Sequence, residues 1–274
     1  MEKGGKILSN NDETVSSDEY IQSGDAYRQK GDFNKAIEEY TKAIELAPDA
    51  NAYCCRGRAY YYIRDYDRAI EDNSNAINFA PDCSPAYLCR GDAYYKKGEF
   101  DKAIEDYSKL IHLNPNANMA QAYNNRGEAY CDKGDFARAI DDFNIAIKLD
   151  PDYAASYLNR GTAYGDIGDH NQAISDFKQA LRISPNDSSS PVTVGSYQNL
   201  GYMYFKKGDY GQAIENYDKL IRLLPHYAAA YYTRGMVYYH KGDYNHAIED
   251  FESTLKLEPN HSGAMKYLEL AQQM

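Results

Sequence analysis

Seven glycines, Gly24, Gly57, Gly91, Gly127, Gly161, Gly201 and Gly235, follow one another at intervals of 33, 34, 36, 34, 40 and 34 residues. Each has a tyrosine four residues before it (Tyr20, Tyr53, Tyr87, Tyr123, Tyr157, Tyr197, Tyr231) and another three residues after it (Tyr27, Tyr60, Tyr94, Tyr130, Tyr164, Tyr204, Tyr238). Most of the chain is thus one small unit copied seven times. A chain of this kind buries its core between successive copies, so its function is to be sought on a surface the copies share.

The rest of the unit repeats as faithfully. An alanine stands twelve residues beyond each glycine (Ala36, Ala69, Ala103, Ala139, Ala173, Ala213, Ala247) and a proline twelve beyond that (Pro48, Pro81, Pro115, Pro151, Pro185, Pro225, Pro259). Phe33, Ala36, Ile37, Tyr40, Ala43 and Ile44 have the i, i+3, i+4, i+7 spacing of a helix buried on one face, and Tyr123, Arg126, Gly127 and Tyr130 show the same period in the first half. Each unit therefore reads as two short helices. Gly31, Gly98, Gly134, Gly168, Gly208 and Gly242 suit a left-handed residue between them. The following Asp32, Asp65, Asp135, Asp169, Asp209 and Asp243 suit N-caps, with Glu99 a poorer one. Only the second unit departs, placing Arg64 at the glycine position under some strain. Proline ends the second helix because it lacks the N–H that would continue it. Small residues at Gly127 and Ala139 point to a close helix crossing.

Tyr–x–x–Arg–Gly–x–x–Tyr, then Ala–Ile–x–x–Tyr/Phe, then Pro resembles the tetratricopeptide repeat. Tyrosine stands where that family often has tryptophan, which preserves a large aromatic; this chain contains no tryptophan. The resemblance implies an all-α fold: an α-solenoid of seven antiparallel helix pairs in a right-handed superhelix, with a concave groove lined by the first helices. The expected organisation is a mobile polar tail at 1–16, repeats at 17–49, 50–83, 84–117, 120–153, 154–187, 194–227 and 228–261, and a capping helix at 262–274. Ala264, Tyr267, Leu268 and Ala271 form the apolar stripe of that helix, as an open-ended stack requires.

The net charge of −11 opposes nonspecific binding to nucleic acid or anionic membrane. No apolar run approaches the roughly 20 residues of a membrane span, and the first ten residues contain no secretory core, so a cytoplasmic protein is expected. Cys54, Cys55, Cys83, Cys89 and Cys131 lack C-x-x-C spacing and read as reduced thiols. Cys55 and Cys89 share a column, so their helices present them to one face. No cofactor or metal is expected. No phosphate-binding loop, H-E-x-x-H or G-x-S-x-G occurs, and the six histidines are scattered over different repeat positions, which argues against an enzyme.

Arginine precedes the glycine in five units (Arg56, Arg90, Arg126, Arg160, Arg234), and the same five carry Asp72, Asp106, Asp142, Asp176 and Asp250 in the second helix. In the sixth unit both change together, to Leu200 and Asn216. This pattern suggests an ion pair between the helices, in competition with i, i+4 pairs such as Arg68–Asp72 and Arg138–Asp142. Two insertions break the rhythm, Asn118–Met119 and residues 188–193. The second either lengthens the following helix, with Ser190 as cap and Pro191 in its first turn, or forms a loose hinge or inert loop.

The resemblance assigns the groove to first-helix residues facing away from the second helices. These are Tyr61, Tyr62 and Tyr95 near one end, and Tyr202, Phe205, Tyr232 and Tyr239 near the other. Between them lie Asn124, Asn125, Glu128, Asp132, Asn159 and Asp166. The aromatics read either as interaction anchors or as helix packing. Asn125, Asn159 and Asn199 occupy one column, similar to the asparagine ladder in the repeat domain of O-linked N-acetylglucosamine transferases. Such amides can hold an extended peptide by its backbone. Ile21, Cys55, Leu88 and Leu158 stand where a two-carboxylate clamp would need polar or basic groups, which disfavours binding of chaperone tails. The expected function is a non-enzymatic adaptor that binds a protein or peptide segment with basic and apolar residues. The alternative is an assembly subunit that associates through solenoid ends or the convex face, including with itself as a homo-oligomer.

Overall fold

The computed structural model describes residues 15–114, 119–185 and 188–274; residues 1–14 of the expected tail at 1–16, Pro115 and Asn118 lie outside them. Among the described residues the secondary structure is entirely helical. The chain divides into two compact units, Met1–Pro115 and Asn116–Met274; the division falls between the third and fourth repeats. Unit 1 contains α1 (Ser17–Gln29), α2 (Phe33–Leu46), α3 (Ala50–Tyr62), α4 (Tyr66–Phe79), α5 (Ser84–Lys96) and α6 (Phe100–Leu113). Unit 2 contains α7 (Ala120–Asp132), α8 (Phe136–Leu149), α9 (Ala154–Asp166), α10 (His170–Ile183), α11 (Pro191–Lys206), α12 (Tyr210–Leu223), α13 (Ala228–Lys241), α14 (Tyr244–Leu257) and α15 (Ser262–Gln272). Within each unit a helix packs chiefly on its partner in the repeat and on the next helix in sequence.

The glycine column is explained by a ring. A methyl group added at Gly127 would lie 2.6 Å from Phe143, and at Gly24, Gly91, Gly161, Gly201 and Gly235 it would come within 2.9 Å of Tyr40, Tyr107, Phe177, Tyr217 and Phe251. These aromatics, sixteen residues beyond each glycine, are at most 2% exposed. The helix pair closes because the first helix has no side chain where the ring of the second lies. The twelfth-residue alanine is buried too, but the ring is the tighter contact. The second repeat carries Asn73 in place of a ring, and its Nδ2 donates back to the Ala69 carbonyl at 2.7 Å.

Turn chemistry follows the expected scheme. The six inter-helix glycines have φ between 75° and 86°, and Arg64 takes φ 64° at the same position. The six aspartates accept the N3 backbone N–H of the second helices, whereas Glu99 makes no such bond and pairs instead with Lys97 and Lys102. The 188–193 insertion lengthens its helix: α11 has 16 residues and begins at Pro191, although the Ser190 side chain makes no capping bond.

The ion pairs between helices form in all five repeats that carry them. Nε and Nη2 of Arg56, Arg90, Arg126, Arg160 and Arg234 donate to both carboxylate oxygens of Asp72, Asp106, Asp142, Asp176 and Asp250 at 2.6–2.9 Å. The competing i, i+4 pairs do not form. Lys35, Arg68, Lys102 and Arg138 turn back instead to the capping residues Asp32, Asp65, Glu99 and Asp135. Nη1 of Arg56, Arg90 and Arg160 also donates to Thr41, Ser74 and Asn144 on the second helix of the preceding repeat, and Arg234 does the same with Asp218. One guanidinium therefore joins three helices.

Burial raises the carboxyls of Asp72, Asp106 and Asp250 above the usual aspartate range despite the arginine beside them. The same contact holds Arg56, Arg90, Arg126 and Arg160 above the ordinary guanidinium value. The carboxylate decides the energetics, because an arginine is charged in either case. The pair sets geometry, and breaking it costs more than omitting it. Arg160→Leu should destabilise by about 2–4 kcal/mol because it strands Asp176, while Arg160→Leu with Asp176→Asn should recover most of that loss. Urea unfolding of the single and double variants measures both values. Arg64→Gly should raise the urea midpoint by relieving about 1 kcal/mol of left-handed strain.

Candidate interaction face

The first helices of unit 2 present one column of side chains after another. Asn124 is 1% exposed. Its Nδ2 donates to Glu128 Oε1 at 2.9 Å, and its Oδ1 accepts from Ser156 Oγ and Asn159 Nδ2, each at 3.1 Å. Asn159 Nδ2 also donates to Glu128 Oε1 at 2.5 Å. This residue pair seals the joint between α7 and α9, so Asn124, expected in the groove, lies beneath it. Asn125 is half-buried beside it, a rotation of about 100° around the helix. Asn199 Nδ2 donates to Thr162 Oγ1 at 3.3 Å. The amide nitrogens of Asn159 and Asn199 thus join neighbouring repeats.

Between α9 and α11 lies a cavity of about 410 Å³. Thr162, Gly165 and Asp166 line it from α9, Asn199, Tyr202, Met203 and Lys206 from α11, and His170 and Phe177 from α10. Tyr202 is 45% exposed, with Lys206 Nζ 5.3 Å from its ring centroid. His170 Nδ1 is buried and has no hydrogen-bond partner among the described residues. Asp132 and Asp166 are exposed and make no hydrogen bond or ion pair among the described residues. Their charge is felt at Cys131, whose thiol is pushed up to about 12, first by burial and then by Asp166, Asp132 and Glu128. Among the described residues no group of three His, Cys, Asp or Glu is placed to hold a metal ion.

The aromatic positions divide. Tyr232 packs on His261 (centroids 4.5 Å apart) and Phe251 (6.1 Å), and Tyr239 meets Tyr267 edge-on at 5.3 Å. Both are therefore engaged by α15 and its approach, whose Ala264 and Ala271 are buried as the apolar stripe requires. Phe205 leans on His240 and Tyr210. In unit 1, Tyr61, Tyr62, Arg64, Tyr66 and Lys96 line a separate cavity of about 410 Å³. Tyr62 is 53% exposed and stacks on Phe33 at 4.9 Å, and burial pushes the Tyr61 hydroxyl up to about 12. Tyr95 tilts against Phe100 at 5.7 Å. The cations Lys96 and Lys206 escaped the sequence reading, although each stands five residues after its repeat glycine, in the column of Asp132 and Asp166.

The cysteines are arranged differently from the column expectation. Cys89 faces Cys54, and the Cys54 hydrogen bond, with Arg58 close by, holds its thiol below the usual cysteine range. Cys55 lies against Asn51 at 3.7 Å. The first helices pack with a one-residue offset, as in the contact between Asn159 and Asn124.

Repeat and turn geometry agree with the comparisons to known proteins. Tetratricopeptide-repeat family models match residues 118–186, then 24–64, 91–131 and 201–242, and finally 228–261. The chain belongs to the tetratricopeptide-repeat family, whose fold is a scaffold for protein–protein interaction and is generally non-catalytic. Among solved structures it is similar to a chain of the APC/C hetero-tetramer Cut9-Hcn1 (TM-score 0.70, 22% identity, 93% of this chain and 49% of that one). It thus spans about half the length of that relative. It is also similar to a tetratricopeptide repeat protein from Parabacteroides merdae (0.68, 20%, 93% and 98%) and to MamA (0.55, 30%, 62% and 94%). Functionally curated proteins give no match. No helix among the described residues is long and apolar enough to cross a membrane.

Asp132→Asn with Asp166→Asn should lower the Cys131 pKa and speed its alkylation at pH 8, because less negative charge opposes the thiolate. Peptide-level mass spectrometry of maleimide labelling reads the rate; an unchanged rate would show that these acids do not act on the thiol.

Proposed function

We propose that unit 2 is a peptide-binding adaptor module. It binds an extended segment of a partner protein along α7, α9 and α11, with a basic ligand side chain at Asp132 and Asp166 and an apolar one in the cavity beside Tyr202. The observation that carries this reading is a pair of exposed acids, Asp132 and Asp166, that both act on Cys131 and make no hydrogen bond or ion pair among the described residues, with Asp166 also lining the cavity bordered by Phe177, Met203 and Tyr202. A basic group gains most from carboxylates that have no other cation, and an exposed tyrosine beside an apolar recess is a common anchor. With its nitrogen engaged, Asn159 offers a ligand only its carbonyl oxygen. Asn125 and Asn199 flank it in the same column, so the ladder acts mainly as an acceptor of peptide N–H groups. The chain's charge of −11 favours basic ligands over polyanions.

Selection of ligands from a random peptide display library, followed by titration of synthetic peptides, tests this. Selected sequences should carry lysine or arginine near an apolar residue. Asp132→Asn/Asp166→Asn and Tyr202→Ala should each weaken binding by about tenfold or more. Ligands without basic residues, or with unchanged affinity for both variants, would overturn the assignment.

A further inference from the structure

The sixth repeat lacks the guanidinium that joins three helices in the second, third, fifth and seventh repeats, and the gap it leaves has a chemistry of its own. Leu200 replaces the arginine, Asn216 the aspartate, and Lys178 stands where the fourth repeat has Asn144, the group that receives Arg160. All three substitutions meet in one notch of about 280 Å³ between α10, α11 and α12, with Tyr197 as a wall and Arg182 and Lys219 on its rim. Leu200 and Tyr197 lie on the side of α11 opposite Asn199 and Tyr202, so this notch is distinct from the cavity described above.

Its charge is unbalanced. Lys219 pairs with Glu215 at 2.7 Å. Arg182 contacts only the neutral Gln179, and Lys178 lies 5.5 Å from the Tyr204 ring centroid; neither has an acidic partner among the described residues. The floor carries an amide where five repeats have a carboxylate, and its Nδ2 bonds to the Gln212 carbonyl at 2.8 Å. The formal charge of these groups is therefore about +2 in a chain of net charge −11. A phosphate monoester, with a charge of about −1.5 to −2 and three acceptor oxygens, matches it, whereas a carboxylate would satisfy only half. An isolated notch on an acidic protein does not suit a polyanionic strand.

We propose that the notch in the sixth repeat binds a phosphate monoester carried on a phosphorylated serine or threonine of a protein partner. Lys178 and Arg182 are the principal contacts, and Lys219 moves from Glu215 to a third oxygen.

Titration of the isotope-labelled full chain with O-phosphoserine, inorganic phosphate, acetate and a short RNA, followed by amide chemical shifts, tests this. O-phosphoserine should shift residues of α10, α11 and α12 around the notch and bind more tightly than the other three. Lys178→Ala/Arg182→Ala should weaken it by about tenfold or more. Lys178→Asn/Leu200→Arg/Asn216→Asp, which rebuilds the arrangement around Arg160, should fill the notch and abolish the shifts while keeping the helical spectrum. Shifts located elsewhere, equal response to acetate, tighter binding of inorganic phosphate or RNA, or undiminished binding by the rebuilt variant would each overturn the proposal.

Discussion

A ring lying over a glycine closes the helix pair in six of the seven repeats. The contact is short-ranged and allows little adjustment, since even a methyl group at the glycine would approach the ring closer than van der Waals contact. It sets the separation of the two helices and so determines what else can reach across. At that separation an arginine one residue before the glycine, such as Arg90, meets an aspartate one residue before the ring, Asp106, and continues to the second helix of the preceding repeat. Packing within a repeat and bonding between repeats thus share a single reference point, which keeps them in register along each unit.

Departures from this scheme show what each part contributes. In the second repeat Asn73 replaces the ring and turns back on its own helix, and its Oδ1 is buried without a hydrogen-bond partner among the described residues. The glycine opposite is still required, because a methyl group there would meet the amide at 2.5 Å. In the sixth repeat the ring is present and the arginine pair is not. The helices remain paired, so the ring suffices for closure. What changes is the surface: a slot filled by a guanidinium in five repeats opens, and the nearest side chain of the previous repeat becomes a lysine. A cation there would repel an arginine, which gives a physical reason for the three substitutions to occur together.

Much of this was legible from residues alone. Glycine, tyrosine, alanine and proline columns define the helix pairs, and the joint loss of Arg and Asp in the sixth repeat was enough to infer an ion pair between helices. The left-handed turns, including the exception at Arg64, follow from composition at single positions. Which ring meets which glycine was less visible, because packing partners sixteen residues apart depend on the angle between helices and not on the period of either one. The groove was harder still. Tyr239 shares its column with Tyr61 and Tyr95, and Tyr232 shares that of Asn124, yet α15 and its approach pack against both, and only the fold shows that. Asn124 and Asn125 are adjacent in sequence, but a rotation of about 100° buries the first. The cations Lys96 and Lys206 could have been found by reading the fifth position after each glycine with the same care as the asparagine column.

Helix α11 carries two unlike surfaces, and its composition explains how. Asn199, Tyr202 and Lys206 face the cavity shared with α9, and Tyr197 and Leu200 face the notch shared with α10 and α12. In repeats that retain the arginine, this second side is committed to holding helices together and has no room for a ligand. The sixth repeat releases it, and the two faces then differ in charge: Asp166 of α9 and Lys206 of α11 both border the cavity, whereas Lys178 and Arg182 border the notch with no acidic partner among the described residues. Coulomb attraction at these separations discriminates strongly between basic and phosphorylated ligands. A partner segment that carried a basic residue and a phosphorylated one on different stretches could therefore engage the unit in only one orientation.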